Sequence, residues 1–173
     1  MKSSKKQAIL ALYLLALFAL PCLAFAANGQ DKVGAEHRSA VAEIVSQLNS
    51  IAGKDNNIGE EIRQVAQEQS TSTENVAAKI DKIESRSKIK TFLIGSDYKN
   101  LGALRSEMVT SANQISRLEK ALERAATSTD EVKTELTAQI NAMEQEQTKV
   151  ETFIQGQEGK FSLFGWLVKF FNR

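Results

Sequence analysis

The chain has 173 residues, with 22 Lys or Arg, 21 Asp or Glu and a formal net charge of +1. This length predicts one modest domain, and the near balance of charge gives no overall electrostatic attraction for nucleic acid. Residues 27–173 contain neither Cys nor Pro, so this part of the chain has no disulfide and its helices have no proline break.

The N-terminal segment has the three parts of a secretory signal peptide. They are a basic start over 2–6, an apolar centre over 8–20 and a small-x-small site over 24–26. We expect residues 1–26 to direct export across the cytoplasmic membrane, with cleavage after Ala26, to the cell envelope or the extracellular space. An uncleaved signal anchor is the alternative, because the apolar stretch nearly spans a bilayer. Pro21 before Cys22 argues against lipidation of that cysteine.

Two helices are predicted after a flexible leader over 27–32. The first, over 33–52, carries one apolar stripe. Asn57, with Glu60 three residues later, predicts the N-cap of the second helix. We expect this second helix to continue to about Leu93, with Ile89 on its apolar stripe, although the polar run 67–75 leaves a break there as the alternative.

Two further helices follow, with a break at 127–130. The stripe of the third helix, apolar except for Ser111, has strict spacings of three and four, which is heptad spacing. Its residues are Leu101, Leu104, Met108, Ser111, Ile115, Leu118, Leu122 and Ala125. The fourth helix repeats this pattern from Val132 to Ile154, with Gln147 as a polar residue in the predicted seam. Residues 33–159 therefore predict an all-α fold, an antiparallel coiled-coil-like bundle of three long helices and a shorter N-terminal helix.

A C-terminal amphipathic tail over 160–173 ends the chain. As a helix, residues 161–171 would reach about 16 Å, roughly half the thickness of a bilayer core, so we expect the tail to lie in a membrane interface rather than to span it. Short helix connections place the tail beside Lys90–Ile94 at one end of the bundle. Packing on the bundle, self-association and a role as a sorting signal are the alternatives for the tail.

The residues predicted to contact a membrane or a protein partner are the large apolar ones of these two segments. They are Phe92, Leu93, Ile94, Phe161, Leu163, Phe164, Trp166, Leu167, Phe170 and Phe171. Basic residues beside them are predicted to contact lipid headgroups. These are Lys88, Lys90, Lys160, Lys169 and Arg173.

Signals for enzyme chemistry are scarce. His37 is the only histidine, so no histidine cluster can hold a metal, and we expect it to be a half-buried structural residue. Carboxylate pairs such as Glu144 with Glu146 are expected on solvated faces. We predict no catalytic residues, no metal site, no cofactor, no nucleic-acid partner and no small-molecule substrate.

The sequence thus predicts a non-enzymatic, exported envelope protein. Its expected role is that of a helical scaffold or interaction module held at a membrane surface. The alternative is a soluble holdase or adaptor that uses the same apolar residues to bind protein partners or to self-associate as a homo-oligomer.

Overall fold

The protein is described by a computed structural model over residues 33–126 and 128–160. This part of the chain is all-helical, which confirms the predicted all-α class, and it contains five helices. They are α1 (Val33–Lys54), α2 (Gly59–Glu84), α3 (Lys88–Ile94), α4 (Tyr98–Arg124) and α5 (Asp130–Glu158). The predicted signal peptide, leader and apolar tail over 161–173 lie outside the described residues.

The four long helices form a bundle in which each contacts two others. Helices α1 and α4 each pack against both α2 and α5. The seam predicted on α4 faces this interior, because all of its residues are buried except Leu122, which is partly buried. The apolar stripes of the sequence therefore become the core, as expected when burial drives helix packing.

The core consists of two apolar clusters. The larger cluster has 16 buried residues and includes Leu48, Ile58 and Leu118. The smaller cluster has eight buried residues and includes Ile83, Leu101 and Ile154.

A polar layer separates the two clusters. Its buried members come from all four long helices: His37, Gln69, Ser72, Thr73, Ser111, Gln114 and Glu146. On α2, for example, this layer falls between Ala66 of the larger cluster and Val76 of the smaller one. The interior of the bundle is thus divided along its length into apolar, polar and apolar parts.

The second helix is shorter than predicted. Helix α2 does continue through the polar run 67–75, but it ends at Glu84 instead of near Leu93. Ser87 has an extended backbone, with ψ at 137°, and its hydroxyl accepts a hydrogen bond from the Lys90 amide at 3.1 Å. Serine commonly stops one helix and caps the next in this way, so residues 88–94 form a separate helix, α3.

The start of α2 also differs from prediction. Asn57 does not cap it: the N-cap position is Ile58, which makes no side-chain cap hydrogen bond. Instead, Asp55 Oδ1 accepts hydrogen bonds from the amides of Asn57 at 2.7 Å and Ile58 at 3.1 Å. The carboxylate two and three residues upstream satisfies the free amides of this turn.

Candidate membrane- or partner-contact surface

Helix α3 stands apart from the core of the bundle. It packs closely against none of the four long helices, and none of its seven residues is buried. Its last turn is closed by the Gly95 amide, which donates to the Thr91 carbonyl at 2.9 Å. Gly95 has a φ of 98°, a conformation that glycine adopts readily and other residues rarely do. The chain therefore turns sharply from α3 into α4.

The start of α4 anchors this turn. Asp97 caps α4 by accepting from the Asn100 amide at 3.2 Å, and it lies 3.7 Å from the Arg86 guanidinium. Burial raises the pKa of Asp97, but the hydrogen bonds from Asn100 and the positive charges of Arg86 and Lys90 outweigh it and hold the pKa below its usual value. The carboxylate thus stays ionised and links the two sides of α3.

The C-terminal end of α5 lies beside the same turn. The Ser96 hydroxyl donates to the Gln157 carbonyl, and Arg105 forms an ion pair with Glu158. Val33, the first residue of α1, packs on the smaller cluster of this half of the bundle. We call this end, formed by residues 83–101 and 153–160, the α3 end.

Large apolar side chains are exposed mainly at the α3 end. Of the six exposed in the described residues, five lie between positions 89 and 98, and the sixth is Val109. The five are Ile89 (73% exposed), Phe92 (50%), Leu93 (37%), Ile94 (62%) and Tyr98 (64%). Lys88 and Lys90 are exposed between and beside them. An apolar surface rimmed by basic residues is typical of a contact site.

Six of the predicted contact residues lie in the described part of the chain. Phe92, Leu93, Ile94, Lys88, Lys90 and Lys160 are all exposed. The other predicted residues, which belong to the tail from Phe161 to Arg173, lie outside the described part of the chain. Ile89 was expected on a buried stripe, which is wrong, because it belongs to α3 and not to α2. Tyr98 was missed, although its position next to the predicted turn could have indicated it.

The polar layer is a second feature of chemical interest. His37 Nδ1 lies 3.4 Å from Glu146 Oε2, and both side chains are buried. The expectation that Glu146 is solvated and that Gln147 occupies the seam is therefore wrong, since Gln147 is only partly buried. The expectation of a half-buried His37 is also corrected, because it is fully inside. The packing of α5 against α1 and α4, rather than its helical period, turns position 146 instead of 147 toward His37.

Hydrogen bonds stabilise the charge on Glu146. Burial raises the pKa of this carboxyl, but hydrogen bonds from His37 and Lys149, together with their charges, lower it by more, so its pKa lies below the usual value. The adjoining cavity has a volume of about 10 Å³, and Gln69 and Ser111 are among the residues that line it. This volume holds about one water molecule and no substrate.

The described residues form neither a metal site nor a membrane-spanning helix. No group of three or more His, Cys, Asp or Glu residues is arranged to hold a metal ion in 33–126 and 128–160. Within the same ranges, no helix has the length and apolar character needed to cross a bilayer. Comparisons of the chain with protein-family models, curated proteins and solved structures give no match.

Proposed function

We propose that this chain is a non-enzymatic, exported envelope protein that is held at a membrane surface by its α3 end and acts as a helical scaffold or interaction module. The observation that carries this proposal is the concentration of exposed apolar side chains on α3, next to Lys88 and Lys90. The finer architecture belongs to the same proposal: an antiparallel, coiled-coil-like bundle that projects from the membrane.

The arrangement of α3 suits an interface. Ile89, Phe92 and Leu93 have the spacing of neighbours on one face of a helix, so they can enter the lipid together. Full burial of a large apolar side chain contributes about 1.5–3 kcal/mol, so these three half-exposed groups together contribute on the order of 2–5 kcal/mol before ordering costs. Each nearby lysine adds about 1 kcal/mol on an anionic surface.

The tail is expected to reinforce this contact. A single seven-residue helix offers little area, and stable membrane binding generally needs more than one signal. Residues 161–173 follow directly from Lys160, which lies two residues beyond the end of α5 and beside the Ser96 turn. In the proposal, Trp166 and the phenylalanines of the tail lie in the same interface as α3, and Lys169 and Arg173 contact headgroups.

Liposome flotation of the chain from residue 27 onward tests this function. We expect flotation with vesicles that contain anionic lipid, and a strong decrease for the double variant I89S/F92S. The control is V109S, which removes an exposed apolar side chain away from α3 and should float at least as well as the unmodified protein. The variant K88Q should bind about fivefold less tightly, since each lysine contributes about 1 kcal/mol.

Three results would contradict the proposal. They are no flotation of the unmodified protein, equal flotation of I89S/F92S and V109S, and unchanged flotation when residues 160–173 are deleted. Binding of unfolded protein by the α3 end without any affinity for lipid would favour the holdase or adaptor function instead.

A further inference from the structure

A groove runs along the outer side of the bundle between α4 and α5. Its volume is about 400 Å³. Met108 and Ile154, both members of the smaller cluster, form its floor. Val109, which is 64% exposed, and Ala112 line the α4 side. The groove therefore exposes an apolar strip that continues the core outward. Arg105 and Gln155 line the part of it nearest the α3 end.

The chain supplies a segment of the right length beside this groove. Helix α5 ends at Glu158, and its residues Gln147 to Gln155 line the groove over about 12 Å. Residues 161–171 reach about 16 Å as a helix. A reversal of direction near Gly159 and Lys160 would lay this segment along the groove, antiparallel to α5.

The chemistry of the two surfaces also agrees in this register. If the chain reverses at Lys160, a residue that follows Lys160 by a given number of positions lies opposite the residue that precedes it by the same number. Trp166 is then opposite Ile154, on the apolar floor of the groove. Lys169 similarly lies level with Glu151 on the α5 side of the groove. Glu151 is exposed and forms no ion pair with any residue of 33–126 or 128–160.

We propose that, in the absence of a membrane, residues 161–173 fold back and occupy the α4–α5 groove of their own chain. A tethered segment has an effective concentration in the millimolar range, which favours it over the same segment of a second copy. Docking keeps apolar side chains out of water until lipid competes for them. This inference goes beyond the proposed function and does not depend on it, although both use the same segment.

Trp166 reports directly on the docking because it is the only tryptophan of the chain. We expect its fluorescence in lipid-free buffer to be blue-shifted, weakly quenched by acrylamide and independent of protein concentration. The variant V109D should shift the emission to that of a solvated tryptophan, because it places a charge on the apolar strip. T110D is the matched control, since Thr110 is exposed one residue along the same helix but lines the opposite groove, between α2 and α4.

A charge exchange tests the register. E151K and K169E should each increase quenching of Trp166, and the double variant E151K/K169E should restore the protection. Circular dichroism checks that each variant stays helical, which we expect because Val109 and Glu151 are exposed.

Several outcomes would overturn the inference. A solvated Trp166 in the unmodified protein would do so, as would a blue emission that V109D leaves unchanged. If F92D rather than V109D exposes Trp166, the tail lies on α3; if the blue shift needs high protein concentration, the occupant comes from a second copy. A protein that floats with liposomes but has a solvated Trp166 in buffer would retain the proposed function and lose this inference.

Discussion

The two ends of the bundle differ in whether the apolar side chains of their connections are buried. Among the described residues, the connecting isoleucine is buried at one end, which we call the closed end, and exposed at the other. At the closed end, formed by the connections over 55–58 and 125–129, Asp55 accepts hydrogen bonds from the Ile58 amide and from the Ser128 hydroxyl. Ile58 itself is only 2% exposed. At the α3 end, by contrast, Ile89 is 73% exposed.

This contrast indicates that the apolar surface of α3 is not needed to complete the fold. Short polar connections with one apolar residue turned inward are sufficient to end a helical bundle, as the closed end demonstrates. The α3 end instead carries an additional helix that contributes no buried side chain. Exposed apolar residues of this kind fit the membrane contact that we propose.

The largest expected effect is on the free energy of unfolding, when a residue of the larger cluster and a residue of α3 are each replaced by alanine. Leu118 is fully buried in the larger cluster, so L118A should lower the free energy of unfolding by about 2–5 kcal/mol through lost contacts and a cavity. I89A removes a side chain of similar size from α3, where it is exposed. This variant should therefore change the free energy of unfolding by less than about 0.5 kcal/mol. Urea unfolding followed by circular dichroism measures both. Similar losses for the two variants would contradict the contrast between the ends.

A glycine at the closed end gives the next largest effect. A Cβ added at Gly59 would collide with the Ala52 carbonyl oxygen, so G59A should destabilise the protein by about 1–3 kcal/mol. Gly53 is in α1 and has open space where its Cβ would be, so G53A is the control and should stabilise by roughly 0.5–1 kcal/mol. Thermal unfolding of both proteins is the measurement. Stabilisation by G59A would show that the closed end is packed less tightly than we describe.

In the polar layer between the two clusters, an apolar substitution should raise the free energy of unfolding instead of lowering it. Both amide atoms of Gln114 are buried without a hydrogen-bond partner among the described residues. Replacing such a group by an apolar one of similar size removes its desolvation cost, so Q114L should raise the free energy of unfolding by about 1–2 kcal/mol. S111A, at a neighbouring layer position, is the comparison variant. A loss of stability in Q114L would indicate that a bound water satisfies the amide.

The smallest effect is the pH dependence contributed by Glu146. Its pKa in the folded protein lies below the model-compound value of 4.5, so its stabilising contribution is present above pH 4.5 and is lost as the pH falls through the lower, folded-state pKa. At pH 7 we expect E146Q to be less stable by about 1 kcal/mol, the contribution of one hydrogen bond. This difference should close below pH 4.5 in urea titrations. E144Q, at an exposed position, should show no such dependence.

Periodicity predicted most of the fold because burial of an apolar stripe is a local property of a helix. The spacing of Leu101, Leu104 and Met108 alone places α4 in the core, and the apolar run 92–94, predicted as a contact segment, is exposed. The assignment of Ile89 to a buried stripe failed, because Ser87 stops α2 through a hydrogen bond that the hydrophobic pattern does not contain.

The interior of the bundle could not be predicted to the same degree. Glu146 and Gln147 are adjacent polar residues, and a small rotation of α5 decides which of them faces His37. That rotation depends on packing with α1 and α4 together, so a single-helix pattern cannot contain it.

Composition and spacing were thus enough to predict an all-helical fold with apolar stripes and an apolar segment at 92–94, directly before Gly95. Which carboxylate is buried, where α2 ends and which side chains meet at the α3 end were decided only when the helices packed. The physical reason is that helix formation follows local spacing, whereas burial of a polar group and exposure of an apolar one depend on neighbours that are distant in the sequence.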